Sequence, residues 1–427
     1  MPRVLLSARL LTLSAIGLLL LACRAPSAHA QVTLGVMGDS LSDEYANNGR
    51  PYAQNWVEQL ATFDNVNLGA NVSNLPPRFV GYNQNWALAG ATSASVLSGG
   101  QATGLAAQIP NAGGYGIDYA VFMIGANDFS PNSAAYANIY NGAWTTTQIN
   151  NYVSSVVGNI STALNDILPT GVKTVVATVP DYGITPAVQA AFPDASKRQL
   201  VANVIAQVNA GIKATAQADH IVVADLSAMI GATFGTEGNF RTTVSIGNVP
   251  INLTQSTSST SSQAGFCADG IHPYTTLQGT LADLLVQALD TGYNAGIPLF
   301  SEAQILSHAG LTYGGSDTLA AQIGPYSNYV ISYAGSPPIA GDTNHDNIVN
   351  SQDIALVSSN WLHIGSNLAG DVNGDGIVNI QDIALMSSNW LHTGPSAGNA
   401  AAVPEPATLG LALLTAGLLT MARRRKN

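Results

Sequence analysis

From residue 32 to about residue 290, two kinds of apolar pattern alternate along the chain. Short runs of consecutive apolar, β-branched residues lie at 32–37, 119–124, 172–179 and 221–225. Unbroken runs of this kind suit parallel strands covered on both faces. Between them lie longer segments whose apolar positions recur every three or four residues. One runs from Gln148 to Leu168 through Val153, Val156, Ile160, Leu164 and Ile167, a second from Lys197 to Ala216 through Val201, Val204, Val208 and Ile212, and a third from Thr275 to Leu289. Such stripes predict helices packed on a core. Strands alternating with helices predict an α/β fold with a parallel sheet in a three-layer α/β/α sandwich. The Thr-, Ser- and Asn-rich stretch at 236–265 reads as a long loop. Residues 301–338, with one strand-like run at 328–333, read as an extension or a linker.

The pattern changes at both ends. Arg3 and Arg9 precede an apolar run from Leu10 to Ala22 and then Ala28-His29-Ala30. This order predicts a secretory signal peptide over 1–30. A competing reading takes Leu20-Leu21-Ala22-Cys23 as a lipoprotein box. At the other end Pro404-Glu405-Pro406 precedes Ala407–Ala422 and then Arg423-Arg424-Arg425-Lys426. The apolar stretch as a helix would reach about 24 Å, short of a bilayer core of about 30 Å. The basic tail would stay on the cytoplasmic side.

Charge narrows the range of partners. The 427-residue chain carries a net charge of −11, with 9% of residues charged. Apart from the terminal cluster, clustered Lys and Arg are absent, which argues against nucleic acid as a partner. Of the two cysteines, Cys23 lies in the leader, and Cys267 reads as a small, partly buried loop residue.

Four short blocks carry the chemistry. They are Gly38-Asp39-Ser40-Leu41-Ser42, Gly90 within 85–91, Gly125-Ala126-Asn127-Asp128, and Asp269-Gly270-Ile271-His272. Blocks at the C-terminal ends of parallel strands converge on one sheet edge. Ser40 is the expected nucleophile, His272 the base that activates it, and Asp269 the group that orients the imidazole. The N–H groups of Ser40 and Gly90 and the side-chain amide of Asn127 are the expected oxyanion donors. Asp39 and Asp128 are read as turn and hydrogen-bonding residues, and His220, His308, His345, His363 and His392 have no catalytic role.

In this order the blocks resemble those of the SGNH, or GDSL, hydrolase superfamily over residues 32–290. The resemblance implies a flavodoxin-like fold, the same roles for Ser40, Gly90, Asn127, Asp269 and His272, and no cofactor for catalysis. It also implies hydrolysis of carboxylic esters of lipids, acetylated carbohydrates or other small acyl compounds. The C-terminal tail resembles the PEP-CTERM sorting signal of Gram-negative-type bacteria. That implies an exosortase-type partner, transient anchoring in the inner membrane, and a destination at the cell surface or in the extracellular matrix.

Residues 341–363 recur as 370–392, differing only at Thr343/Val372, His345/Gly374, Asn347/Gly376, Ser351/Ile380 and Val357/Met386. Each copy opens with an EF-hand-type loop. The predicted ligands are Asp342, Asn344, Asp346, Ile348 through its carbonyl, Asn350 and Asp353, then Asp371, Asn373, Asp375, Ile377, Asn379 and Asp382. Oxygen donors at this spacing suit Ca²⁺. The pair resembles a dockerin, which implies a cohesin-like partner. Trp361 and Trp390 are expected to pack the two helices together, with a partner surface as the other reading.

The expected organisation is therefore a signal peptide over 1–30, a hydrolase domain over 31–300, an extension or linker over 301–338, and a dockerin-like module over 339–393. A linker over 394–402 and a sorting signal over 403–427 complete it. The functional expectation is a secreted serine esterase. The alternative is a non-catalytic surface or matrix protein that uses the same fold to bind.

Overall fold

The computed structural model describes residues 31–73, 80–109, 116–334, 341, 343, 349–363, 370, 372, 377–388 and 390. The predicted leader, the sorting tail and the loop ligands Asp342, Asn344, Asp346, Ile348, Asp371, Asn373 and Asp375 lie outside these residues.

Four of the predicted strands form the sheet that organises the molecule. They are β1 (Leu34–Gly38), β2 (Tyr119–Met123), β3 (Lys173–Ala177) and β4 (Val222–Ala224), paired in parallel in that order. Register runs from Leu34 to Tyr119, from Tyr119 to Lys173, and from Val175 to Val222. The apolar runs are explained by two cores. Leu34, Val36, Val121, Val175 and Val222 face one, while Met37, Ala120, Phe122, Val176 and Val223 face the other.

The connections between these parallel strands place four helices together on one face. That face holds α2 (Ser93–Ser98), α3 (Gln101–Gln108), α4 (Thr146–Ile167) and α5 (Ala195–Ala218), which supply Val96, Leu105, Ile160 and Val204 to the second core. The first core is closed by α1 (Trp56–Phe63), α6 (Leu226–Phe234) and α7 (Thr275–Tyr293). Helix α4 starts with a capping box from Thr145 and Gln148, which satisfies its first backbone donors.

Three sequence expectations need correction. First, the stretch at 236–265 is not a long loop. It contains β5 (Thr243–Ile246), β6 (Val249–Thr257) and the start of β7 (Ala264–Cys267), with β6 antiparallel to β5 and parallel to β7. Val244, Ile246, Ile251 and Leu253 alternate inward among polar residues, so a period of two was present beneath the polar composition. Second, the central sheet is not wholly parallel. Strand β8 (Val330–Ser332) adds antiparallel to β4 as its edge strand. With Ile305, Leu306, Leu319 and Tyr329 it belongs to the first core. Third, Cys267 is not a partly buried loop residue. It is a fully buried strand residue, and burial pushes its thiol up to about 12.

The duplicated segments form helices α8 (Ser351–Ser359) and α9 (Ile380–Ser388). Their shared core is Val349, Val357, Val378 and Met386. The pairing is reciprocal: a Cβ on Gly341 would fall 2.7 Å from the Met386 Cα, and one on Gly370 would fall 2.8 Å from the Val357 Cα. Trp361 and Trp390 are 41% and 45% exposed and do not build that core. The side chains at 357 and 386 already fill the helix contact.

Candidate active site

The first block turns sharply out of β1. Gly38 is glycine because a Cβ there would meet the Met123 carbonyl oxygen at 2.5 Å. Its own N–H and C=O are both held by the side chain of buried Gln101, at 2.9 and 3.0 Å. The next turn closes with Ser42 and Asp43 donating to the Asp39 carbonyl. Asn85 donates to the Ser42 carbonyl at 2.8 Å, and the Trp56 indole donates to Ser42 Oγ at 3.2 Å. Ser40 is thus fixed at the C-terminal edge of the sheet, 6% exposed.

The fourth block meets it there. Ser40 Oγ lies 2.8 Å from His272 Nε2, and His272 Nδ1 lies 2.8 Å from Asp269 Oδ2. The loop is tied at its base, since the Cys267 N–H donates to the His272 carbonyl and Gly270, at φ +68°, makes the tight turn. The second oxygen of Asp269 accepts the backbone N–H groups of Ile271 and His272, both at 2.9 Å. Burial works against the Asp269 carboxylate. The bonds and charge of His272 and the two backbone donors outweigh it and hold the group well below the usual carboxylate range.

Opposite the triad lie the other two blocks. Gly90 occupies a left-handed backbone at φ +82°, with open space where a Cβ would sit, so backbone conformation and not crowding calls for glycine. The preceding turn is anchored by Ala89, whose N–H donates to Asp43 at 2.8 Å. Asn127 has its amide orientation fixed on both sides: Nδ2 donates to the Ala91 carbonyl at 3.0 Å, and Oδ1 accepts from the Tyr182 hydroxyl at 3.3 Å. One of the two Nδ2 hydrogens is left to face a substrate. Asp128 accepts from the N–H and hydroxyl of Ser93, both at 2.8 Å, and so joins the Gly90 and Asn127 blocks mechanically. Asp39 is 1% exposed, and burial, reinforced by the charges of Asp128 and Asp43, pushes its carboxyl up to about 7 despite the Leu41 N–H.

Two residues beside the site were not marked by any motif. Arg50 donates from Nε to Asp269 Oδ2 at 2.9 Å, and its Nη2 lies 3.2 Å from His272 Nε2. Arginine has donors only, so this contact favours an imidazole with Nε2 unprotonated and ready to accept. Tyr182 is the second, through its bond to Asn127. Neither carries a sequence signal: Arg50 sits in a Gly- and Asn-rich turn, and Tyr182 follows β3 with no periodicity.

Taken together, an alcohol, an imidazole and an oriented carboxylate lie in line beside an amide and glycine backbone donors. Such a set can deliver a nucleophile to a carbonyl and stabilise the charge that follows. Among the described residues no cluster of three or more His, Cys, Asp or Glu is arranged to hold a metal.

No curated protein matches the chain. Among solved structures it is similar to the protein YxiM of Bacillus subtilis, at 15% identity and TM-score 0.33, covering 64% of this chain and 58% of that one. It therefore spans less than two thirds of that relative's length. It is also similar to Axe2, an acetylxylan esterase from Geobacillus stearothermophilus, at 14% identity and TM-score 0.34, covering 60% and 94% of the two chains. A third is an extracellular lipase from Streptomyces rimosus, at 15% identity and TM-score 0.33, covering 49% and 86%. Residues 402–426 match the PEP-CTERM protein-sorting motif, a signal for export and sorting to the cell envelope. Residues 34–285 match the GDSL-like lipase/acylhydrolase family, and they span every block of the site. The chain belongs to that family of ester-bond hydrolases.

Proposed function

We propose that the protein is an exported serine esterase that cleaves carboxylic esters of lipids or acetylated carbohydrates through an acyl-enzyme on Ser40. The observation that carries this reading is the continuous line from Ser40 Oγ through His272 to Asp269, with both contacts at 2.8 Å. His272 Nε2 takes the Ser40 proton as Oγ bonds to the ester carbonyl carbon. The resulting oxyanion is met by the N–H groups of Ser40 and Gly90 and by Asn127 Nδ2. The carbon–oxygen bond to the alcohol then breaks, and His272 returns the proton to the leaving alkoxide. Water, deprotonated by the same imidazole, attacks the acyl-enzyme, releasing the carboxylic acid and restoring Ser40. Asp269 stays ionised throughout and stabilises the imidazolium.

Ser40→Ala tests this directly. The variant is expected to lose hydrolysis of p-nitrophenyl acetate and butyrate while keeping the wild-type melting temperature. Retained activity would refute the assignment.

The ends and the repeats extend the proposal. A leader over 1–30 and the sorting tail together support export, with an exosortase-type enzyme acting at the tail. The repeat pair is proposed to bind Ca²⁺ and to offer a docking unit to a cohesin-like partner. Support for the metal comes from Asp353 and Asp382, both fully buried at equivalent positions. Each folds back on its own loop: Asp353 accepts from Thr343 and Asn350, and Asp382 from Val372 and Asn379, at 2.7–2.8 Å. Buried carboxylates that close a loop whose sequence is rich in oxygen donors fit a hard cation. Terbium luminescence on the chelator-treated full chain tests the site, with no sensitised emission as the contrary result.

A further inference from the structure

Resting on the esterase reading of Ser40, we infer that the preferred substrates are esters of short fatty acids, about four to six carbons long, with the acyl chain held in an apolar pocket beside the triad, and not acetylated sugars. The lining of this pocket includes Leu41, the residue after Ser40, His272 itself, and Ala126, the residue before Asn127. An acyl group bonded to Ser40 therefore has the pocket next to its carbonyl. The walls are Tyr182, Ile184, Met229, Phe234, Phe266 and Leu281, from the turn after β3, from α6 and β7, and from α7. The volume of the pocket is about 70 Å³. That is about half the roughly 150 Å³ of an apolar cavity that takes up benzene, or room for about three carbons. An acetyl group presents one carbon beyond the carbonyl and would leave most of it empty, where a butyryl group presents three.

The polar side chains of the lining are already engaged. The hydroxyls of Thr185, Thr233 and Thr280 donate to the carbonyls of Tyr182, Met229 and Leu277, each at 2.8 Å. Asp181 accepts from the Gly183 N–H at 2.8 Å, and the Tyr182 hydroxyl donates to Asn127. A sugar ring pushed inside would exchange its hydrogen bonds with water for an apolar wall, which is costly. An alkyl chain gains from the same wall.

The test uses the full chain and two ester series. One fixes p-nitrophenol and lengthens the acyl group from acetate to butyrate, hexanoate, octanoate and decanoate. The other fixes acetate and lengthens an alkyl alcohol. The inference expects kcat/KM to rise about fourfold per methylene in the acyl series, to about 16-fold over acetate at butyrate, and to level off or fall beyond hexanoate, with little change in the alcohol series. Thr280→Phe, which fills the pocket, is expected to bring the hexanoate-to-acetate ratio near one. Ile230→Ala, which enlarges it, is expected to move the best chain length upward, and this arm stands even if Thr280→Phe does not fold. A flat or falling acyl series with Ser40-dependent acetate hydrolysis would overturn the inference and leave the esterase reading standing. A gain confined to the alcohol series would also overturn it. Absence of hydrolysis across every ester would remove the esterase reading itself, and the acyl pocket with it.

Discussion

Asp269→Asn exchanges one carboxylate oxygen for an NH₂ group and so isolates what the carboxylate does. In the wild type its two oxygens accept four donors: the backbone N–H groups of Ile271 and His272, the His272 ring and Arg50 Nε. The amide oxygen of the substituted side chain can keep the two backbone donors. Its NH₂ group must then face His272 Nδ1 and Arg50 Nε. Facing Nδ1 it forces that nitrogen to accept, and the ring proton moves to Nε2. An N–H then points at Ser40 Oγ, where a lone pair is needed. The same proton also points towards Arg50 Nη2, 3.2 Å from Nε2 in the wild type, so Arg50 meets a donor at both of its contacts, the new NH₂ group through Nε and the Nε2 proton through Nη2. Loss of the correct tautomer in a triad costs on the order of 10⁴ in kcat, or about 5 kcal/mol of transition-state stabilisation. The assay is kcat and KM on a p-nitrophenyl ester, with melting temperature as the check on folding. The expected result is a fall in kcat of about 10⁴ with KM within a few-fold. A folded variant within tenfold of wild-type kcat would show that Asp269 does not set the imidazole tautomer.

Three other outcomes are expected. Asn127→Ala removes a side-chain oxyanion donor and should lower kcat by about 100- to 1000-fold with little change in KM, measured on the same ester. Asp39 carries a carboxyl at about 7 in the folded state against an ordinary value of 3.8. The folded state thus keeps a proton that the unfolded chain has lost between those values, so stability falls as pH rises from about 4 to 7, by at most about 4 kcal/mol. Asp39→Asn should flatten that slope in melts run across the range, and an unchanged slope would exclude Asp39 as its source. In the repeat pair, Gly370→Ala places a Cβ 2.8 Å from the Val357 backbone at φ +98°, so the midpoint of the calcium binding proposed for the pair should weaken by about tenfold, about 1.4 kcal/mol.

The parts that were legible in the sequence share one property: their signal is local. The strands at the sheet centre announce themselves because both faces are buried, as at Val36 and Met37 or Val121 and Phe122. Ser40, Asn127 and His272 stand out because each sits in a short turn with glycine or aspartate close by. What was missed depends on contacts distant in sequence. Arg50 reaches residues 269 and 272, Tyr182 reaches Asn127, and Gln101 clamps Gly38. Strands β5 and β6 were hidden for another reason. They are half-exposed, so Thr, Ser and Asn fill their outward positions and dilute the inward Val244, Ile246, Ile251 and Leu253. Edge strand β8 was legible as the apolar run at 328–333, but its antiparallel place beside β4 depends on a pairing distant in sequence.

The most direct test of the catalytic assignment is covalent. The intact protein is treated with a fluorophosphonate, and the modified peptide is located by mass spectrometry. The account predicts one equivalent of label on Ser40, blocked by prior exposure to substrate and lost in a folded His272→Ala variant. Stoichiometric labelling of a different serine, or none in protein that is folded and able to hydrolyse esters, would contradict it.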